Sequence, residues 1–441
     1  MESHSTAMSQ ITCKFGGSSL ADSDCFRAVE KIILSSDERK HIVPSAPGKR
    51  RPDDKKITDL LYAWHNLLRQ DLDASQPRGM IAARFEQLAT ELKIAFPVHD
   101  LLEEIAKEAA KYDTPDYMAS RGEYLNGQLL AKLLGAVFVD PAECIKFDDE
   151  GLLDPVTYDL LGAKLKGDTR FVIPGFYGSM PDGRIRTFSR GGSDVTGAIV
   201  ARASKSRLYE NWTDVSGFLM ADPRIVPGAK RIDEVTYQEL RELAYMGAQV
   251  LHDEAIFPVR DSGIPINIRN TKDPDNPGTM ILPARESKDI ICGVAGRSGF
   301  TMINIEKALM NKERGFGRRV LTVLEEHGVS FEHMPTGIDT ISLIVRDEEI
   351  ANHGPAVLKA IERTCQPDRV SLSPGLAIIA TVGQGMAGHT GVAAKLTGAL
   401  ANASVNIRVI DQGSSENNII VGVEDKDLDS AVRAIYSAFT E

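Results

Sequence analysis

Apolar residues alternate with a period of two over Ile11, Cys13 and Phe15, the pattern of a short strand with one buried face. Gly16 and Gly17 follow. FRAVEKIIL then returns apolar residues every three or four positions, as an amphipathic helix does, with Asp22 or Ser23 as its cap. Strand, tight turn, helix is the expected order. Residues 41–48 read as a second strand ending in a small-residue turn at Ser45, Ala46 and Pro47, and KRRPDDKK after it reads as a solvated charge run in a loop. Helical periodicity starts at Ile57, with Thr58 near the start, and continues to about residue 112. Ser120 to Ala136 is expected to be a helix with Glu123 in its first turn, where the dipole favours a carboxylate. Short strands are expected at 136–139, 171–174, 185–188, 208–212 and 264–268, with a loop at 175–178, a helix over 195–204 and another over 238–247. Strands alternating with helices predict an α/β domain with a mostly parallel sheet, ending near Ala284.

The tail has a different rhythm. When Gly315 is aligned with Gly391, Val320 meets Leu396, Leu324 meets Leu400, and Leu343-Ile344-Val345 meets Ile419-Ile420-Val421. Each copy reads strand, helix, strand, strand, helix with a final strand, the βαββαβ ferredoxin-like unit. Two such modules are suited to binding a small molecule at their interface. The expected domains are 8–285, 286–370 and 371–441, with the strand IICGVAG (290–296) a candidate for the last module. Gly383-Gln384-Gly385-Met386-Ala387-Gly388 matches G-x-G-x-x-G, and Asp411 follows the next strand as a dinucleotide site requires. The match is rejected, because too little chain follows for the second half of a doubly wound sheet and the repeat explains the glycines.

Composition narrows the function. A net charge of −11 argues against a nucleic-acid partner, and no apolar run is long enough for a membrane span. MESHSTAMSQ reads as a polar leader without a secretory signal. Five widely spaced cysteines, with no C-x-x-C, fit a reduced cytoplasmic enzyme better than a disulfide scaffold or a zinc site.

Two turns carry candidate chemistry. In ITCKFGGSS, glycines after a strand let backbone N–H groups approach a phosphate, and Lys14 adds a cation. Lysine precedes the glycines, so this is not a P-loop. SRGGSD at 189–194 repeats that logic with Arg190, whose fork suits a carboxylate. A division of labour follows: Lys14 for phosphate, Arg190 for a substrate carboxylate.

Taken in order, KFGGSS (14–19), SAPGK (45–49), SRGE (120–123), SRGGSD (189–194), WTDVSG (212–217), DPR (222–224) and GAQVLH (247–252) resemble the aspartokinases of the amino-acid-kinase superfamily, over about residues 8–441. The resemblance implies a three-layer αβα sandwich followed by two ACT modules, and transfer of the ATP γ-phosphoryl group to the side-chain carboxylate of L-aspartate with Mg²⁺. By motif, Lys14 and Asp194 are implied as catalytic, and Lys14, Gly16, Gly17, Ser18, Thr213, Asp214, Leu219, Arg224 and Gln249 as the ATP site. Ser45, Thr58, Glu123, Phe176, Arg190 and Ser193 are implied to hold aspartate: Glu123 its ammonium, Arg190 its α-carboxylate. Asp194 is placed to orient Lys14 or a Mg²⁺-bound water.

This sequence departs from the family at Pro44, Leu219, Gln249 and Asp253; Leu219 and Gln249 stand where some members carry an aromatic residue and a lysine. The ACT pair implies an amino-acid effector, lysine before threonine, contacting Met310, Gly315, Phe316, Ser330 and Glu332, and a homo-oligomer formed through these modules. With no dehydrogenase segment after residue 441, the resemblance is to monofunctional members. The alternatives are a related kinase acting on another carboxylate and a catalytically silent amino-acid sensor.

Overall fold

The computed structural model describes residues 10–112, 114–189, 191–247, 257–287 and 289–441. Two units divide the chain: 10–218 with 233–237 and 257–285, and 219–232 with 238–247 and 286–441, among the described residues. The second unit therefore takes two segments from within the span 8–285 expected for the first domain.

In the first unit, strands β1 (Ile11–Phe15), β2 (Arg39–Pro44), β3 (Val137–Phe138) and β4 (Phe171–Val172) precede a small hairpin, β5 (Tyr177–Ser179) and β6 (Ile185–Thr187). Strands β7 (Leu208–Thr213), β8 (Glu234–Thr236), β9 (Ile266–Asn270) and β10 (Thr279–Leu282) follow. Eight strands form one sheet in the order β3-β4-β2-β1-β7-β9-β10-β8. All its pairings are parallel except β9 with β10. Cys13, Phe15, Leu208 and Trp212 turn to a face packed with residues of the helices Ser23–Leu34, Ile57–Arg69, Ser75–Leu92, Val98–Tyr112 and Pro115–Leu134. Tyr209 and Asn211, at alternate positions of β7, face the other side, where the helix Gly192–Ala203 crosses Tyr209 so closely that a Cβ on Gly197 would lie 2.5 Å from the Tyr209 hydroxyl. The sheet is thus the middle of three layers.

One local expectation is narrowed and two change. Asp22 is the cap of the first helix, accepting from the Cys25 N–H at 2.9 Å, and a 3₁₀ turn (Gly17–Leu20) intervenes before it. The helix carrying Glu123 begins at Pro115, capped by Thr114, because proline at the first helical position needs no N–H partner. Glu123 therefore lies beyond the first turn, and the dipole argument does not apply to it. Asp54, inside KRRPDDKK, is not a solvated charge: Arg50 Nε lies 2.9 Å and Arg84 Nη1 2.7 Å from its carboxylate, and both hold its pKa well below the usual carboxylate range, Arg50 most strongly.

In the second unit, β11 (Gly293–Glu306), β12 (Thr340–Arg346), β13 (Arg369–Val382), β14 (Val409–Asp411) and β15 (Asn418–Glu424) form one sheet in the order β12-β11-β13-β15-β14. The long strands β11 and β13 each serve both repeats. Gly293–Arg297 pairs with Ile378–Val382, and Ile291 and Val294 lie in the same apolar cluster as Leu396, Val421 and Ile435. Phe300–Glu306 pairs with Arg369–Leu376 on one edge and with β12 on the other, beside a cluster built on Ile303, Val320, Leu343 and Ile361. Gly315 and Gly391, aligned by the repeat, both cap a helix with positive φ (75° and 88°). The rejected dinucleotide motif is a packing device: a Cβ on Gly383 would sit 2.5 Å from the Ile290 carbonyl oxygen, and one on Gly385 2.2 Å from that of Asp289. Met220, Lys230 and Glu239, from the two inserted segments, bond within this unit: the Met220 carbonyl accepts from Val294 N–H, Lys230 N–H donates to the Tyr436 hydroxyl and Glu239 Oε1 accepts from Gln384 N–H.

Candidate active site

The C-terminal ends of β1, β2, β4 and β7 lie side by side, the edge at which open parallel sheets bind ligands. Lys14 is directly opposite Asn211 across the β1–β7 pair. Its ammonium forms an ion pair with Asp194 and lies 3.5 Å from Asn211 Oδ1, while Asn211 Nδ2 donates to Asp194 Oδ1 at 3.0 Å. Lys14, Asp194 and Asn211 are all buried. Asp194 stands in the first turn of the helix Gly192–Ala203, where the dipole favours its charge.

The turn after β1 is built by close backbone contact. Gly48 N–H donates to the Gly17 carbonyl at 2.8 Å, and a Cβ on Gly48 would lie 2.5 Å from that oxygen, so KFGGSS and SAPGK meet as two bare turns. Gly16 N–H bonds the Trp212 carbonyl at 3.1 Å, which ties this turn to the end of β7. Ser18 is exposed, Thr213 half-buried and Asp214 exposed beside it. Six of the expected nucleotide residues (Lys14, Gly16, Gly17, Ser18, Thr213 and Asp214) thus share one unit. Leu219 and Arg224 fall in the other unit, Arg224 with its guanidinium on Asp222 at 2.6 Å. Gln249 and Arg190 lie outside the described residues.

On the other side of β1, Ser45 N–H bonds the Phe15 carbonyl, and the Ser45 carbonyl accepts from Asn126 at 2.6 Å. Glu123 is buried behind this turn. Burial pushes its carboxyl up to about 7 from 4.5, against a hydrogen bond from the Ala46 backbone, and its Oε2 has no partner among the described residues. Gly122 packs on Ala46 and Ile57, which brings the helix start bearing Thr58 to the same place. Gly175 follows β4, with its N–H on the Pro44 carbonyl and its Cα so close to Ser193 that a Cβ would meet Oγ at 2.6 Å. Phe176 has φ of 83°, a conformation costly for a bulky side chain, held by its N–H to Thr196 Oγ1 and its carbonyl from Phe188 N–H. Ser45, Thr58, Glu123, Phe176 and Ser193 thus surround one end of β2 and β4, next to Lys14. The arrangement offers a glycine-lined turn bearing the Lys14 ammonium for a polyphosphate and, beside it, a buried carboxyl with an oxygen that has no hydrogen-bond partner among the described residues, which suits a ligand ammonium.

The Amino acid kinase family profile matches residues 10–270, and an ACT domain profile matches 379–439. Aspartokinase 3 of Bacillus subtilis (strain 168) is 38% identical over 445 residues, covering 97% of this chain and 98% of that protein. This chain belongs to the aspartokinase family. Among solved structures, the aspartate kinase of Clostridium acetobutylicum has a TM-score of 0.91 and 50% identity, covering 98% of this chain and all of that one. The Escherichia coli aspartokinase III, solved with aspartate and ADP (R-state) and with lysine and aspartate (T-state), gives TM-scores of 0.75 and 0.74 at 26% and 27% identity, each over 98% of this chain and all of that one.

Among the residues expected to meet an effector in this aspartokinase, Met310 and Phe316 are buried in the first module's apolar cluster and Gly315 caps its helix. Ser330 N–H donates to Glu349, and Glu332 binds Arg346 at 2.6 Å while its Oε2 stays buried without a partner among the described residues. Sequence motifs alone pass over Asn211, Asn126 and Arg84. Arg84 donates to the carbonyls of Ala21 and Gly48, 2.7 Å each, and so ties the turn after β1 to the one after β2. The available signal for Asn211 is an amide on a central strand of otherwise large side chains. Among the described residues no group of three or more His, Cys, Asp or Glu is placed to hold a metal ion, and no helix is long and apolar enough to cross a membrane.

Proposed function

We propose that the chain transfers the γ-phosphoryl group of ATP to the side-chain carboxylate of L-aspartate, giving 4-phospho-L-aspartate at the head of lysine, threonine and methionine synthesis. The observation that carries this reading is the pairing, in one unit, of the Lys14 turn with the buried carboxyl of Glu123, whose Oε2 has no hydrogen-bond partner among the described residues. Lys14, Gly16, Gly17 and Ser18 hold the phosphates, with Thr213 and Asp214 beside the nucleotide and Leu219, Arg224 and Gln249 assigned to its outer contacts. Mg²⁺ enters on the ATP phosphates, the usual manner for an ion that keeps several waters and few carboxylates. Glu123 takes the substrate ammonium and Arg190 its α-carboxylate, with Ser45, Thr58, Phe176 and Ser193 closing around it.

The attacking group is the substrate's own carboxylate, already ionised at neutral pH, so no general base is needed. The protein aligns the two ligands and compensates charge on the transferred group through Lys14, and Asp194 fixes where that ammonium waits. The ACT modules bind an amino-acid effector, lysine ahead of threonine, and join two copies of this cytoplasmic enzyme. Met310, Gly315, Phe316, Ser330 and Glu332 mark the effector region; Met310 and Phe316 act there as packing. The test is ADP release with Mg-ATP and L-aspartate, the acyl phosphate being trapped by hydroxylamine, with and without lysine or threonine. Aspartate-dependent hydroxamate is expected. Its absence, with lysine or threonine still bound, overturns the reading in favour of a silent sensor.

A further inference from the structure

Asn211 makes two hydrogen-bonding contacts at the Lys14–Asp194 pair. The residue is 3% exposed, and it is held across from Lys14 by the β1–β7 register, so its side chain has little freedom to turn elsewhere. Its Nδ2 donates to Asp194 Oδ1, the same oxygen that holds the Lys14 ammonium, and its Oδ1 lies 3.5 Å from Lys14 Nζ. Asp194 is also fixed from its backbone, because the Tyr209 hydroxyl donates to the Asp194 carbonyl at 3.0 Å.

A buried carboxylate whose only partner is a lysine binds that lysine tightly. If the ammonium moves to a phosphate, the carboxylate is left as an unpaired charge, at a high free-energy cost. An amide donating to the same oxygen lowers that cost, and its carbonyl offers the ammonium a neutral resting partner.

We propose that Asn211 is a positioning residue for the phosphoryl transfer: its amide keeps Asp194 hydrogen-bonded while the Lys14 ammonium is shared with the ATP phosphates. The inference rests on the kinase reading above and adds a residue that acts through Asp194 and Lys14 without touching substrate.

The test is a double-mutant cycle of wild type, Asn211→Leu, Asp194→Asn and the double variant, each confirmed as folded by its unfolding transition, with kcat and both KM values from hydroxylamine-trapped turnover. Asn211→Leu is expected to lower kcat about 10- to 100-fold, the worth of a hydrogen bond to a charged group, with the KM for aspartate within about threefold. In the Asp194→Asn background the same change is expected to cost no more than about threefold, because the charge it serves has gone. A merely structural Asn211 gives equal losses in both backgrounds, and that result, or a wild-type kcat for Asn211→Leu, overturns the inference. Should Asn211→Leu fail to fold, Asn211→Ser replaces it in the same cycle.

Wild-type turnover is measured first, so failure of the kinase reading is seen separately. If wild type binds Mg-ATP without phosphorylating aspartate, the cycle is read in Mg-ATP affinity by titration calorimetry: non-additive losses support the Asn211 inference, and additive ones overturn it.

Discussion

Replacing Glu123 with Gln removes a charge from a site that is buried to receive one. The carboxyl sits at about 7 against an ordinary 4.5, because burial disfavours its ionised form. At about 1.4 kcal/mol per pH unit, this difference is worth about 3 kcal/mol. A group raised on folding contributes its full stability below the unfolded value and loses it as pH rises through the folded one. Free wild-type protein should therefore lose about 3 kcal/mol relative to Glu123→Gln between pH 4.5 and 7, with a constant offset above that. The neutral amide keeps an acceptor for the Ala46 backbone and never ionises.

Denaturant unfolding from pH 4.5 to 8.5 measures this directly. L-Aspartate should narrow the gap above pH 7 by supplying the missing cation, and wild-type affinity for aspartate should rise as pH passes 7. Glu123→Gln should bind aspartate roughly 10- to 100-fold more weakly, with ATP binding unchanged, as loss of a hydrogen bond to a charged group requires. Parallel stability curves for the two proteins across this range would refute the reasoning, because the carboxyl would then be no harder to ionise folded than unfolded.

Lys14→Ala should lower kcat ~10²–10³-fold, as removal of one preorganised stabilising group does; near-normal trapped turnover would contradict the phosphate role. Gly48→Ala places a methyl 2.5 Å from the Gly17 carbonyl. The turn must shift, with about 1–3 kcal/mol lost in unfolding and a raised KM for ATP, whereas an unchanged KM for ATP would separate this contact from nucleotide binding. Burial lowers His41 from 6.5 to about 4, so its stability is complete above 6.5 and falls as pH drops toward 4. His41→Leu should flatten that acid limb of the unfolding curve, and an unchanged limb would place the loss elsewhere.

Periodicity was enough for β1, the first helix and the α/β alternation, because each encodes its buried face locally. The tail repeat was legible for the same reason, down to two glycines that share a left-handed cap. Glycine spacing also marked the turn after β1, since the close approach of Gly48 to the Gly17 carbonyl depends on a missing side chain. Tertiary structure alone decided the rest. Asn211 meets Lys14 only through the register of two strands far apart in sequence. The Glu123 environment depends on a helix that starts at Pro115 and buries the carboxylate beyond its first turn, against Ala46. The inserted segments 219–232 and 238–247 fold with the second unit because their apolar and hydrogen-bonding partners are there, among them Val294, Tyr436 and Gln384. A local pattern records which face of an element is buried; which distant groups that face or its polar edge meets is set by packing, and the chemistry of this site depends on those meetings.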